Sequence, residues 1–98
     1  MLIVTGSATA RPETIAEMTA LALEHVLRSR AEPGCLAHEV HVDAENPLRL
    51  TFLERWADDA ALAAHFALPA SKDFVARLRA LSASSGAIEI YHTTRVTL

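Results

Sequence analysis

The chain has 98 residues, 51% of them hydrophobic and 21% charged, with a net charge of -3 when histidine is neutral. This composition excludes a disordered chain, and its slight acidity gives no basic surface for nucleic acid or an anionic membrane. No apolar run approaches the roughly 20 residues of a spanning helix, and the apolar start at Leu2 to Val4 is too short and lacks the basic flank of a signal peptide, so the expectation is one small cytoplasmic domain over residues 1–98. The single cysteine, Cys35, allows no intrachain disulfide and fits a reducing compartment.

Residues 2–10 alternate and read as a strand, with Leu2, Val4, Gly6, Ala8 and Ala10 on one side. Pro12 and Glu13 suit a helix start. Residues 13–31 then carry Ile15, Met18, Thr19, Ala22 and Val26 at helical spacing. Pro33 and Gly34 end that helix. Residues 35–44 form a second strand, read with Leu36, His38, Val40 and Val42 on one side. The turn signal "ENP" at 45–47 joins it to a third strand at 48–56, making an antiparallel hairpin. Here Leu50, Phe52, Glu54 and Trp56 share one side; Arg49, Thr51, Leu53 and Arg55 share the other.

Asp58 or Asp59 caps the next helix, which Pro69 interrupts near Leu68. A further helical stretch runs to about Ser82, then "SASSG" (82–86) reads as a loop and 87–98 as a last strand. The order β-α-β-β-α-β predicts an α+β ferredoxin-like fold: a four-stranded antiparallel sheet with helices on one face. Both strand sides carry apolar residues, such as Ile3 beside Val4 and Leu53 beside Phe52. The bare sheet face therefore predicts a second copy of the chain packed sheet to sheet.

Five histidines bear on chemistry. In "HEVH", His38 and His41 point to opposite strand faces, no Cys or carboxylate cluster completes a site, and no metal is expected. His25, on the flank of the first helix, is expected to face solvent. His92 faces either the helices or a partner. His65 falls on the packed helix side with Ala61, Leu62 and Phe66. It is either a core histidine or a pocket histidine able to move a proton. Glu54 stands among Leu50, Phe52 and Trp56, an unusual setting for a carboxylate, which an ion pair would also explain. Trp56 alone reads as a packing residue, and the alanines at 60, 61, 63 and 64 as helix formers. Three scattered glycines build no nucleotide loop, so no nucleotide cofactor is expected.

The stretch from Glu32 to Leu78 resembles the antibiotic biosynthesis monooxygenase family of dimeric α+β barrels. Glu32, Gly34, Cys35 and Leu36 match its E-x-G-C-L at the second strand. Glu54 and Trp56 match its E-x-W, and His65 its histidine about nine residues later, followed by Phe74. The resemblance implies a homodimer with one pocket per subunit between sheet and helices. Some members oxygenate phenols or quinols without metal, flavin or haem. Others isomerise a small signalling sugar phosphate or degrade haem. The haem-degrading pattern fails here, with no Asn in the first strand and Val75 ten residues after His65.

The resulting expectation is a monooxygenase without cofactor acting on an electron-rich aromatic, a quinol or polycyclic phenol. His65 would be the base and Glu54 its partner, with Trp56, Phe52, Leu62, Phe66 and Phe74 holding a flat substrate. The alternatives are a non-catalytic ligand-binding dimer and a sugar-phosphate isomerase. Arg49 and Arg55 lie on the sheet side opposite Trp56 and are badly placed to hold a phosphate in the same pocket.

Overall fold

A computed structural model describes residues 1–98. Strand β1 (Leu2–Ala10) leads to helix α1 (Ile15–Ser29), the hairpin β2 (Cys35–Asp43) and β3 (Asn46–Trp56), helices α2 (Asp59–Ala67) and α3 (Pro69–Leu81), and the short strands β4 (Ser82–Ser85) and β5 (Glu89–His92). All strand pairs are antiparallel, in the order β2-β3-β1-β4, with β5 also on β1. This is the predicted ferredoxin-like arrangement. The helices cover the face that buries Leu2, Val4, Ala8, Ala10, Leu50, Glu54 and Trp56. Burying side chains such as Met18 and Leu50 contributes about 1.5–3 kcal/mol each.

Four departures from the sequence reading have physical causes. First, α1 begins at Ile15, because Arg11 to Thr14 close a turn in which Thr14 N–H donates to the Arg11 carbonyl at 3.0 Å. The Thr14 hydroxyl then donates to the Leu81 carbonyl at 2.6 Å, tying this turn to the end of α3.

Second, β2 is bulged at its start. Cys35 pairs with Trp56 and Ala37 with Arg55, which leaves Leu36 unpaired. The extra residue turns Leu36 outward, 52% exposed, and Cys35 inward against the Leu2–Val4–Trp56–Leu62 cluster. Third, the hairpin turn is shorter than expected: Asp43 pairs with Asn46, and the Asp43 carboxylate accepts from Glu45 N–H at 2.8 Å. That bond and the Arg49 guanidinium at 2.8 Å hold the Asp43 carboxyl below the usual carboxylate range.

Fourth, the last strand is split in two. The serine-rich segment read as a loop is β4, pairing with Ala8, Thr9 and Ala10, while β5 covers only Glu89–His92 and pairs with Leu2 to Thr5. Pairing with the open edge of β1 needs only an extended backbone, so composition misleads here. Between the halves, Gly86 N–H still donates to the Ser7 carbonyl at 2.9 Å.

One glycine fixes the position of α2. Gly34 sits at φ +80°, and a Cβ there would lie 2.5 Å from the Ala61 methyl. Only glycine adopts this conformation without strain, and only a small residue at 61 lets the helix approach. Asp58 caps α2 by accepting from Ala61 N–H at 2.8 Å, as predicted. His65 is thereby set two turns above a fixed cap.

Candidate active site

Between the sheet and helices lies a cavity of about 340 Å³. Its inner wall is Phe52, Glu54, His38, His25 and Phe74; its outer wall is formed by Ser7, Arg79, Ser82 and the break between β4 and β5 at 85–88. The splitting of the edge strand therefore shapes this cavity.

Of the residues expected to hold substrate, Phe52 and Phe74 line the cavity and Trp56, Leu62 and Phe66 do not. Trp56 is fully buried and packs with Leu2, Val4 and Leu62 in the core. Phe66, 39% exposed, faces the outside near Leu2 and Ile90, because one residue beyond His65 the helix surface has already turned from the sheet. The expected common border of Glu54, Trp56 and His65 on one cavity is not what the fold builds: Glu54 reaches it, while His65 lies behind, beside a depression lined by Glu32, Gly34 and Ala61.

Two histidines take places that the sequence reading did not give them. His25 is buried, not solvent-facing, and its ring stacks on Phe74 with centroids 3.8 Å apart and planes 2° from parallel. His38 is 1% exposed and stands against Glu54 across the β2–β3 pair. The signal for His25 was available: it lies seven residues after Met18, two helical turns along the buried stripe. His41 and His92 are exposed and pair with Glu39 and Asp59.

Glu54 is the hub. Its Oε1 accepts from Trp56 Nε1–H at 2.9 Å and lies 3.2 Å from His38 Nε2 and 4.0 Å from His65 Nε2. Burial alone would raise its carboxyl, but His38, Trp56 and His65 together outweigh burial and hold it below the usual carboxylate range. Glu54 is therefore an anion at neutral pH.

His65 bonds through Nδ1 to Glu32 Oε1 at 2.8 Å, and its ring lies over Trp56 with centroids 4.6 Å apart. His25 is pushed down to about 3, first by burial and then by His38, His65 and Arg28 beside it, so it stays neutral. Arg28 donates to its Nδ1 at 2.9 Å, which leaves the ring proton on Nε2. Burial, then Glu32 and Glu54, push the Cys35 thiol up, so it remains a neutral thiol.

Fold and site define a class: a ferredoxin-like α+β protein with a histidine-lined, carboxylate-backed cavity under its helices. Residues 1–77 match the antibiotic biosynthesis monooxygenase (ABM) family, and the chain belongs to that family. A Deinococcus radiodurans protein named for antibiotic biosynthesis monooxygenase has the same fold, with TM-score 0.94 at 26% identity, over 100% of this chain and 97% of that one. A second structure, of an antibiotic biosynthesis monooxygenase, gives TM-score 0.87 at 32% identity, over 97% of this chain and 100% of that one. In sequence, the chain is 32% identical over 90 residues to protein sll1783 of Synechocystis sp., covering 92% of this chain. It spans only 61% of the length of that relative. No helix is long and apolar enough to cross a membrane.

Proposed function

We propose that the protein is a monooxygenase acting on an electron-rich phenol or quinol bound in the 340 Å³ cavity. The family membership and the names of its structural relatives support the reaction class. The observation that carries the site is Glu54, an ionised carboxylate held against His38 on the cavity wall.

His38, and not His65, is the proton acceptor in this reading, because His38 borders the cavity and His65 does not. The phenol O–H gives its proton to His38, and Glu54 stabilises the imidazolium that forms. The phenolate then passes one electron to dioxygen. Recombination of the radical pair forms the ring C–O bond, and the His38 imidazolium returns its proton to the outer oxygen to give a hydroperoxide. Loss of water, whose second hydrogen comes from the attacked ring carbon, leaves a quinone. One phenol and one dioxygen thus give one quinone and one water.

His25, neutral with its proton on Nε2, adds a donor near the developing phenolate. Phe52 and the stacked His25–Phe74 pair hold the flat ring. His65 acts as a positioning residue, fixed by Glu32 and packed on Trp56. Arg49 and Arg55 stay on the opposite sheet face, Arg49 paired with Asp43, which gives a sugar phosphate no cation from the expected arginines.

The working form is a homodimer. The outer sheet face, which the helices leave bare, carries Leu53 and Tyr91, 38% and 48% exposed, beside Ile3. Sedimentation as a monomer at micromolar concentration would contradict this. The activity itself is tested by oxygen uptake with a panel of quinols. Saturable uptake that falls about 10²–10⁴-fold in His38→Gln supports the reading. Saturable aromatic binding without uptake would replace it with a binding function.

A further inference from the structure

Proton transfer leaves one property of the histidine cluster unexplained. His38 is 1% exposed, yet neither of its ring nitrogens makes a hydrogen bond. Its Nε2 approaches Glu54 Oε1 to 3.2 Å without hydrogen-bond geometry. On the other side of Glu54, His65 Nδ1 meets Glu32 Oε1 at 2.8 Å, which turns Nε2 towards Glu54 Oε1 at 4.0 Å. The unpartnered His38 nitrogen, the Glu54 oxygen and the His65 nitrogen thus converge on one point inside the protein. A cation there would give all three a common partner.

We propose that His38, His65 and Glu54 form a binding site for a divalent transition-metal ion. Two imidazoles and one carboxylate are the donor set of open zinc and non-haem ferrous sites. The groups behind the donors also fit. A carboxylate, Glu32, holds the far nitrogen of His65, and Trp56 Nε1–H holds Glu54. Such partners orient metal ligands and fix their tautomers.

The spacing is near but looser than a filled site. One nitrogen from each of His25, His38 and His65 lies within 4.8 Å of the others. Bonds of about 2.0–2.2 Å to a metal bring tetrahedral donors to roughly 3.3 Å. The Glu54–His38 distance already matches, and the remaining gaps close by about 1.5 Å or less. His25 is left out of the donor set, because Arg28 occupies its Nδ1 and keeps the proton on Nε2. It stands instead as a hydrogen-bond donor to whatever the metal carries. Glu54 and His38 both border the cavity, so the open positions of the metal have an entry path. Metal and proton compete for the same nitrogen, His38 Nε2.

The test is titration of the full-length, chelator-stripped protein with cobalt(II). Expected are visible d–d bands of low-coordinate cobalt that saturate at one ion per chain and are displaced by zinc. The bands should vanish in His38→Gln and His65→Gln and survive in His41→Gln, whose side chain is exposed and away from the cluster. Should either variant fail to fold, nitrogen-15 shifts of the wild-type imidazoles decide. Zinc is expected to move the Nε2 resonances of His38 and His65.

No bands, equal bands in His65→Gln, or a His65 ring found protonated on both nitrogens and indifferent to zinc would overturn the proposal. Oxygen uptake by the stripped protein reads the proposed function separately. It can persist when cobalt binding fails, and cobalt can bind when turnover is absent.

Discussion

At one end of the layer between sheet and helices, Ala8, Ala10 and Leu50 meet Met18 and Ala22. At the other, Glu54, Trp56 and His38 meet His25 and His65. The same elements build both ends. Along the inner face of β3 the side chains run Leu50, Phe52, Glu54, Trp56; β2 answers with Val42, Val40, His38 in register. Along α1 the buried stripe runs Met18, Ala22, His25, Ser29. Three neighbouring elements change from apolar to polar in the same direction, so the polar residues converge without any irregularity in the helix. The apolar end is held by shape. The polar end is held by pairing, and its stability depends on which proton sits where.

If that contrast is right, substitutions at the two ends should fail differently. Leu50→Ala leaves a hole among Ala8, Met18 and Ala22, none of which can fill it. A loss of about 2–5 kcal/mol is expected in denaturant unfolding, with little change in the pH dependence of stability. Gly34→Ala attacks the joint that seats α2 against β2. Strain at positive φ and contact with Ala61 should together cost about 2–3 kcal/mol. Here His65 should lose its contact with Glu32, seen as a changed His65 imidazole resonance in the folded fraction.

At the polar end, Trp56→Phe keeps most of the volume and removes one donor to Glu54. A loss of about 1–2 kcal/mol is expected from the less satisfied buried carboxylate. Acid should also weaken the metal-free protein. His25 is depressed from 6.5 to about 3, so its contribution to stability is complete above pH 6.5 and is lost as pH falls from there towards 3. Glu54 is also depressed, from 4.5, and its contribution is likewise lost on the acid side. For His25 the slope cannot exceed about 1.4 kcal/mol per pH unit, the value for one proton. Urea unfolding at stepped pH measures this, and His25→Gln should flatten the upper part of the fall. An unchanged slope in that variant would place the acid sensitivity elsewhere.

Much of the fold was legible in period alone. The alternation in β1 and β3 assigned their buried faces correctly, and Asp58 and Pro69 marked the start and the break of the second helical segment. The bulge at Leu36 was not legible, because β2 reads equally well in either register until its partner is known. β4 was missed because serines satisfy a loop pattern, while pairing with β1 is a tertiary fact. The site divides in the same way. Glu54 and His65 stood out as residue types in the wrong company, and Glu32 stood out only through the family motif. Their pairing of Glu32 with His65, 33 positions apart, required the fold. His25 and His38 were hidden for a simpler reason: each was judged on its own element, and their meaning lies in meeting across α1 and β2.

The account rests on the cavity-facing Glu54–His38 pair acting as a base, and the ionisation of a bound phenol reports on that directly. A naphthol whose spectrum separates phenol from phenolate would be bound to the metal-free protein at a pH below its own pKa. The account predicts phenolate in the wild type, a return to the neutral phenol in His38→Gln, and retained phenolate in His41→Gln. A bound phenol that stays neutral in the wild type, or phenolate that persists in His38→Gln, would contradict it.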